Sequence, residues 1–173
     1  SAASDVYKRQ ACHNDKVAAD KFTAWKESGH AEIFTQNLNT SPYWGEQCFA
    51  CHTVGFNKAV SNGGIDEAPD YSAFLSLLGK PRPDNWTTTL AKYPSTARLA
   101  NVQCENCHGP NNDSTLHPNG TVDSARVTIS ADVCGTCHGE APRHARFQQW
   151  QESGHANYDL AISEATVENR GAT

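Results

Sequence analysis

Residues 134–138 read Cys134-Gly135-Thr136-Cys137-His138. Two thiols lie three positions apart, with an imidazole directly after the second. A thiol is a nucleophile once deprotonated, and a neutral imidazole is a ready ligand for iron. In the order C-x-x-C-H this set suits covalent attachment of a c-type haem. Each thiol adds to one vinyl group of the porphyrin, and the histidine takes the fifth position on iron. The same order recurs at Cys48-Phe49-Ala50-Cys51-His52 and at Cys104-Glu105-Asn106-Cys107-His108. A partial copy, Cys12-His13, has Arg9 where its first cysteine would stand. Paired C-x-x-C motifs also bind zinc, but zinc does not require a histidine after every second cysteine.

The residue totals follow the same pattern. All seven cysteines belong to these four places, so none remains for a disulfide. Of eight histidines, His13, His52, His108 and His138 are the expected proximal ligands. His30, His117, His144 and His155 remain as expected distal ligands, and the chain has no methionine. Four haem c groups with two axial histidines each would use the full set.

The elements that must position these residues begin with a repeat. Phe22-Thr23-Ala24-Trp25-Lys26-Glu27-Ser28-Gly29-His30-Ala31 matches Phe147-Gln148-Gln149-Trp150-Gln151-Glu152-Ser153-Gly154-His155-Ala156. The interval from His13 to His30 equals that from His138 to His155, 17 residues. Each local unit therefore joins a Cys-His pair to a predicted helix that carries a second histidine. Gly29 removes a side chain beside that histidine, which would let the helix approach a porphyrin edge.

The rest reads as short elements. Periodicity predicts a helix over 15–35 and a loop over 37–47, where Trp44 either covers a haem face or is a partly exposed loop aromatic. Short helices are expected over 70–79, 84–92 and 95–103, interrupted by Pro81, Pro83 and Pro94. Residues 61–67 form a turn-rich loop whose acids suit solvent better than calcium. His117 lies in a polar loop after Gly109-Pro110, residues 119–130 are a connector, and 159–168 form a last short helix. Asn-x-Ser/Thr triplets begin at Asn39, Asn85, Asn112 and Asn119, and coincidence explains them better than glycosylation.

Asp5-Val6-Tyr7-Lys8-Arg9-Gln10 matches the in-frame translation of a transposase sequencing adaptor. Residues 1–10 are accordingly expected to be artefact, with a cysteine at position 9 of the natural protein and any signal peptide lost. Residues 11–173 are expected to form a single tetrahaem domain. Hydrophobic residues make up 38% of the chain and mean hydropathy is -0.63, which is poor for a conventional core. The expected fold class is mainly α with much irregular loop, little or no β-sheet and a haem-packed core, and little stable structure is expected without haem.

The formal charge is -5, and four haems with their propionates would bring it to about -9. That balance argues against nucleic acid and anionic membrane surfaces as partners, and no apolar run is long enough to span a membrane. Covalent haem attachment takes place outside the cytoplasm, so the expected location is extracellular, at the cell surface or periplasmic.

The sequence resembles the tetrahaem cytochrome c family of the ammonia-oxidiser electron-carrier type, which includes the OmcE-type extracellular cytochrome filaments. The resemblance rests on Cys12-His13 with Trp25 and His30-Ala31, on Cys51-His52-Thr53-Val54-Gly55-Phe56, and on Cys104 to Pro110 with His117 after it. It implies a helical fold with stacked and angled haem pairs. It also implies His117 on the His13 haem, His30 on the His138 haem and His155 on the His108 haem. That leaves His144 for the His52 haem, which lacks a distal protein ligand in the ammonia-oxidiser carriers. In the filament relatives one haem takes its distal histidine from a neighbouring subunit, a role for which His144 is the first choice here.

The leading expectation is electron transfer without catalysis, as a head-to-tail filament subunit passing electrons to redox proteins or extracellular acceptors. A soluble periplasmic carrier is the alternative. A nitrogen-oxide-converting enzyme with one open haem is the alternative of another class.

Overall fold

The computed structural model describes residues 20–108, 131–140, 144–157, 159–160 and 162–164. Cys12, His13, His117, the expected artefact at 1–10, the connector at 119–130 and the triplets at Asn112 and Asn119 lie outside them. The chain divides into two compact units, residues 1–128 and 129–173. Its described elements are helical, as expected. The β pairing among them is one isolated antiparallel bridge, Thr53 with Ala100. No described helix is long and apolar enough to cross a membrane.

In the first unit the predicted helix over 15–35 is interrupted. Helix α1 (Phe22–Lys26) is followed by a 3-10 turn, Gly29–Ala31, and then by α2 (Ile33–Thr40). The break lies at Ser28, whose backbone is extended (φ -90°, ψ 156°). Its hydroxyl donates back to the Trp25 carbonyl at 2.6 Å, the local bond by which serine competes with a continuing helix. Helix α2 then enters the predicted loop over 37–47 and ends where Ser41 precedes Pro42. A residue before proline is forced out of the helical region, and Ser41 sits at φ -102°, ψ 121°.

Helix α3 (Phe49–His52) follows a 3-10 turn over Glu46–Cys48. Helix α4 (Tyr71–Phe74) and the 3-10 turn Leu75–Leu77 fill most of the expected 70–79 helix, and α5 (Asn85–Lys92) lies within the expected 84–92. Helix α6 (Pro94–Ala97) is much shorter than the expected 95–103. The chain leaves it for the bridge at Ala100, and Asn101 adopts φ 68°. The Gln103 amide donates to the carbonyls of Arg98 at 2.7 Å and Ala100 at 2.9 Å, which satisfies acceptors that a longer helix would have used. Helix α7 (Cys104–His108) completes the described part of this unit.

These short helices hold together through an aromatic cluster larger than the composition suggested. Phe34, on α2, has ring neighbours Trp44 and Phe49 at 5.4 Å, Phe74 at 5.9 Å and Trp86 at 6.2 Å. Leu38, Val54, Ile65, Tyr71, Leu99 and Ala100 close the cluster. Truncating a phenylalanine in such a place to alanine typically costs about 3–5 kcal/mol. Trp44 is therefore a core residue and not a partly exposed loop aromatic.

Distant side chains cap two helix starts. Asn39 accepts from the Trp86 amide at 2.9 Å at the start of α5. Asp70 accepts from the amides of Ser95 and Thr96, each at 2.9 Å, and from the Thr96 hydroxyl at 2.7 Å. Asn85 is buried, and its amide donates to Leu38 and Lys80 carbonyls. Of the four triplet asparagines, Asn85 is thus buried, and the half-buried Asn39 is bonded through its side-chain oxygen.

The second unit has α8 (Asp132–His138), α9 (Arg146–Gln151) and the 3-10 turn Gly154–Ala156. Residues 159–160 and 162–164 are helical, within the expected last helix. Gly135 lets α8 approach α9: a Cβ there would stand 3.1 Å from the Phe147 ring. No hydrophobic side chain is buried among the described residues of this unit, and Trp150, Leu160 and Ile162 are exposed.

Burial pushes the Asp70 carboxyl up, but the bonds from Thr96 and Ser95 outweigh it and hold the group below its ordinary 3.8. Its stabilising effect is therefore complete above the unfolded value and is lost as pH falls through the folded one. Asp70→Asn is expected to lower the thermal midpoint at neutral pH. It should also flatten the loss of stability expected of the parent as pH falls through the carboxylate range, as followed by circular dichroism.

Candidate functional site

All three described C-x-x-C-H segments close as helical turns with the histidine as the last helical residue. They are Cys48 into α3, the whole of α7, and the end of α8. In a helix, positions i, i+3 and i+4 share one face. Cys48, Cys51 and His52 therefore form one such set, as do Cys104, Cys107 and His108, and Cys134, Cys137 and His138. None of the six described cysteines is in a disulfide. Cys107 and Cys134 are exposed, and the other four are half-buried.

The first two turns are held by the core and by each other. Phe49, the residue after Cys48, is fully buried. The Thr53 hydroxyl donates to the Phe49 carbonyl at 2.7 Å, closing the end of α3. Asn106, inside the Cys104 turn, donates from Nδ2 to the Thr53 carbonyl at 2.8 Å and accepts from the Gln103 amide at 2.8 Å. The exit of one turn is thus bonded to the interior of the next. Sequence reasoning missed Asn106, and missed Phe49 as an anchor. Both occupy variable positions of the motif, where only a contact reveals a role.

The ten-residue repeat has one structure in both places. Each copy has a short helix, an extended serine, and a 3-10 turn that contains the histidine. Ser28 lies at φ -90°, ψ 156°, and Ser153 at φ -84°, ψ 159°. The serine hydroxyls donate to Trp25 and Trp150 carbonyls at 2.6 and 2.5 Å. The amides of Ala31 and Ala156 each donate at 3.1 Å to the preceding serine carbonyl. His30 and His155 are exposed and sit on this turn, not on the helix that the sequence suggested. A Cβ built on Gly29 or Gly154 would meet nothing within 4 Å, and neither has a positive φ. Neither packing against the described residues nor backbone conformation accounts for glycine at these positions.

The copies differ in what they rest on. In the first, the Trp25 indole donates to the Val102 carbonyl at 2.7 Å, and the Val102 amide donates to the His30 carbonyl at 3.0 Å. This bonds the histidine turn to the residues leading into α7. In the second, Trp150 is exposed and stacks on Phe147 at 5.6 Å.

His144 is exposed, and its ring lies 6.3 Å from that of His138. The Ala145 amide donates to the Gly139 carbonyl at 2.7 Å, and Ala145 adopts φ 51°. The structure therefore brings His144 beside His138. In the loop over 61–67 the Glu67 carboxylate accepts from Ser61 Oγ and from the amides of Asn62 and Gly63. Its oxygens cap the loop, and among the described residues no three His, Cys, Asp or Glu side chains gather as an ion site.

No family model, curated protein or solved structure matches the chain.

Trp25→Phe keeps the ring and removes the donor to Val102, a loss of about 1 kcal/mol. Hydrogen exchange at the Val102 amide is expected to quicken in this variant. The matching change Trp150→Phe should leave amide exchange in the second unit close to that of the parent.

Proposed function

We propose that the chain is a multihaem cytochrome c that carries electrons through four bis-histidine haems and assembles into an extracellular filament. The observation that carries this reading is the closure of each described C-x-x-C-H segment as one helical turn. That turn sets two thiols and an imidazole on a common face, as covalent attachment to one porphyrin requires. The haem, when bound, supplies reversible one-electron redox chemistry at its iron, and two axial histidines favour a lower potential than a histidine-methionine pair.

The donor set and the surfaces fit this group. His30 and His155 project from matching exposed turns beside glycines that leave their faces open, as suits ligands approaching a flat disc. The second unit buries no apolar side chain among its described residues, and a large apolar cofactor against α8 and α9 would supply the missing core. Cys12, His13 and His117 complete the proposed count of four.

The exposed Trp150, Leu160 and Ile162 support a contact with a neighbouring copy. A head-to-tail contact that does not close propagates as a filament. His144 is the proposed ligand given in trans, and an iron-histidine bond would offset the repulsion between acidic subunits.

His144→Ala in native filaments is expected to yield short species by electron microscopy. It should also leave one haem able to bind carbon monoxide when reduced. A native protein that remains monomeric at high concentration with every iron six-coordinate would replace the filament with the soluble carrier. Carbon monoxide binding to the unsubstituted protein would favour an enzyme with one open haem.

A further inference from the structure

We propose that the second copy of the ten-residue repeat grips backbone from a neighbouring copy of the chain. The Trp150 indole donates to a carbonyl of the neighbour, and the His155 carbonyl accepts from the amide of the same residue. The inference rests on the filament reading above and assigns one of its contacts.

The first copy of the repeat shows what this arrangement holds. Val102 is bonded at both of its main-chain groups. Its carbonyl accepts from the Trp25 indole at 2.7 Å, and its amide donates to the His30 carbonyl at 3.0 Å. One residue gives both groups to one neighbour in this way in a bridge of an antiparallel pair. The repeat thus takes the place of a neighbouring strand for a single residue. Added peptides are held on sheet edges through the same main-chain groups. Neither bond uses the valine side chain, so any residue with an N–H can serve.

The second copy carries the same two groups on the same local frame. The Phe22 and Trp25 rings lie 5.5 Å apart, and the Phe147 and Trp150 rings 5.6 Å. Each histidine turn is closed at 3.2 Å, by Glu32 donating to Gly29 and by Asn157 donating to Gly154. The serine bonds and serine dihedral angles match as described above. Yet neither the Trp150 indole nor the His155 carbonyl has a hydrogen-bond partner among the described residues. Trp150 is 42% exposed and His155 is exposed, so an incoming chain can reach both.

A second copy is the occupant that this precedent favours. What fills the first site is the chain's own backbone, two residues ahead of Cys104. Leu160 and Ile162, in the same unit as Trp150, are also exposed, as suits a face covered by another chain. The gripped groups are neutral, so the contact adds nothing to the repulsion between copies of formal charge -5.

The test uses haem-loaded protein with its haems reduced. One preparation carries 15N in its tryptophan indoles and another carries 13C in its carbonyls, and the two are mixed before assembly. Solid-state NMR of the filaments should show transfer from the Trp150 indole nitrogen to a carbonyl carbon of the other preparation. Trp25 should show none, because its acceptor lies in its own chain. Trp150→Phe keeps the ring and removes the donor, and should raise the concentration needed for assembly about fivefold. Filaments with no transfer at Trp150 would overturn the inference and leave the filament reading standing. So would a Trp150→Phe protein that binds its haems and assembles at the parent's concentration. Native protein that stays monomeric at high concentration would overturn both.

Discussion

The contact of Phe49 with Phe34 joins a candidate cofactor turn to the aromatic core. Phe49 lies inside a C-x-x-C-H turn and in the aromatic cluster, 5.4 Å from the ring at the cluster's hub. Burial of one side chain thereby fixes where Cys48, Cys51 and His52 stand. The Thr53 carbonyl, one residue beyond the turn, then receives Asn106 from the next motif. Two candidate cofactor turns are thus referenced to one core by one apolar contact and one hydrogen bond. For electron transfer between neighbouring cofactors this is the property that matters, because tunnelling depends on fixed separations more than on any reacting side chain.

The two units solve the same local problem with different resources. Both contain the ten-residue repeat, and both close it with the same serine bond. In the first unit the repeat is tied to Val102 and lies close to a cluster of buried rings. In the second its first residue, Phe147, lies against Gly135, and Trp150 is exposed. An apolar group bound against α8 and α9 would change the second unit far more than the first. The first already has the buried area of a small protein core, while the second has exposed apolar side chains that gain by being covered.

Much of the candidate site was legible in the sequence because its signals are local. C-x-x-C-H spacing needs only one turn of helix to be realised, and the repeat announced itself by identity at matched spacing. The mainly helical class was legible for the same reason. What the sequence hid depends on contacts between distant residues. The low hydrophobic content concealed a core made of a few large rings, including Trp44. The helix predicted over 15–35 is interrupted by a serine hydroxyl that turns back on the chain, a competition that periodicity does not register. The early end of α6 reflects the pairing of Ala100 with Thr53, nearly fifty positions away. Asn106 looked like a variable motif position until its two bonds were visible.

The proposed electron transfer depends on covalently attached haem at the three described turns and at the Cys12-His13 pair. The most direct measurement is the intact mass of protein from its native source under denaturing and reducing conditions, followed by mass mapping of its cysteine peptides. The expected mass exceeds that of the native polypeptide by four haems, with haem retained on the peptides containing Cys12, Cys48 and Cys51, Cys104 and Cys107, and Cys134 and Cys137. A mass equal to that of the bare polypeptide, with those seven cysteines recovered as unmodified thiols, would contradict the haem reading.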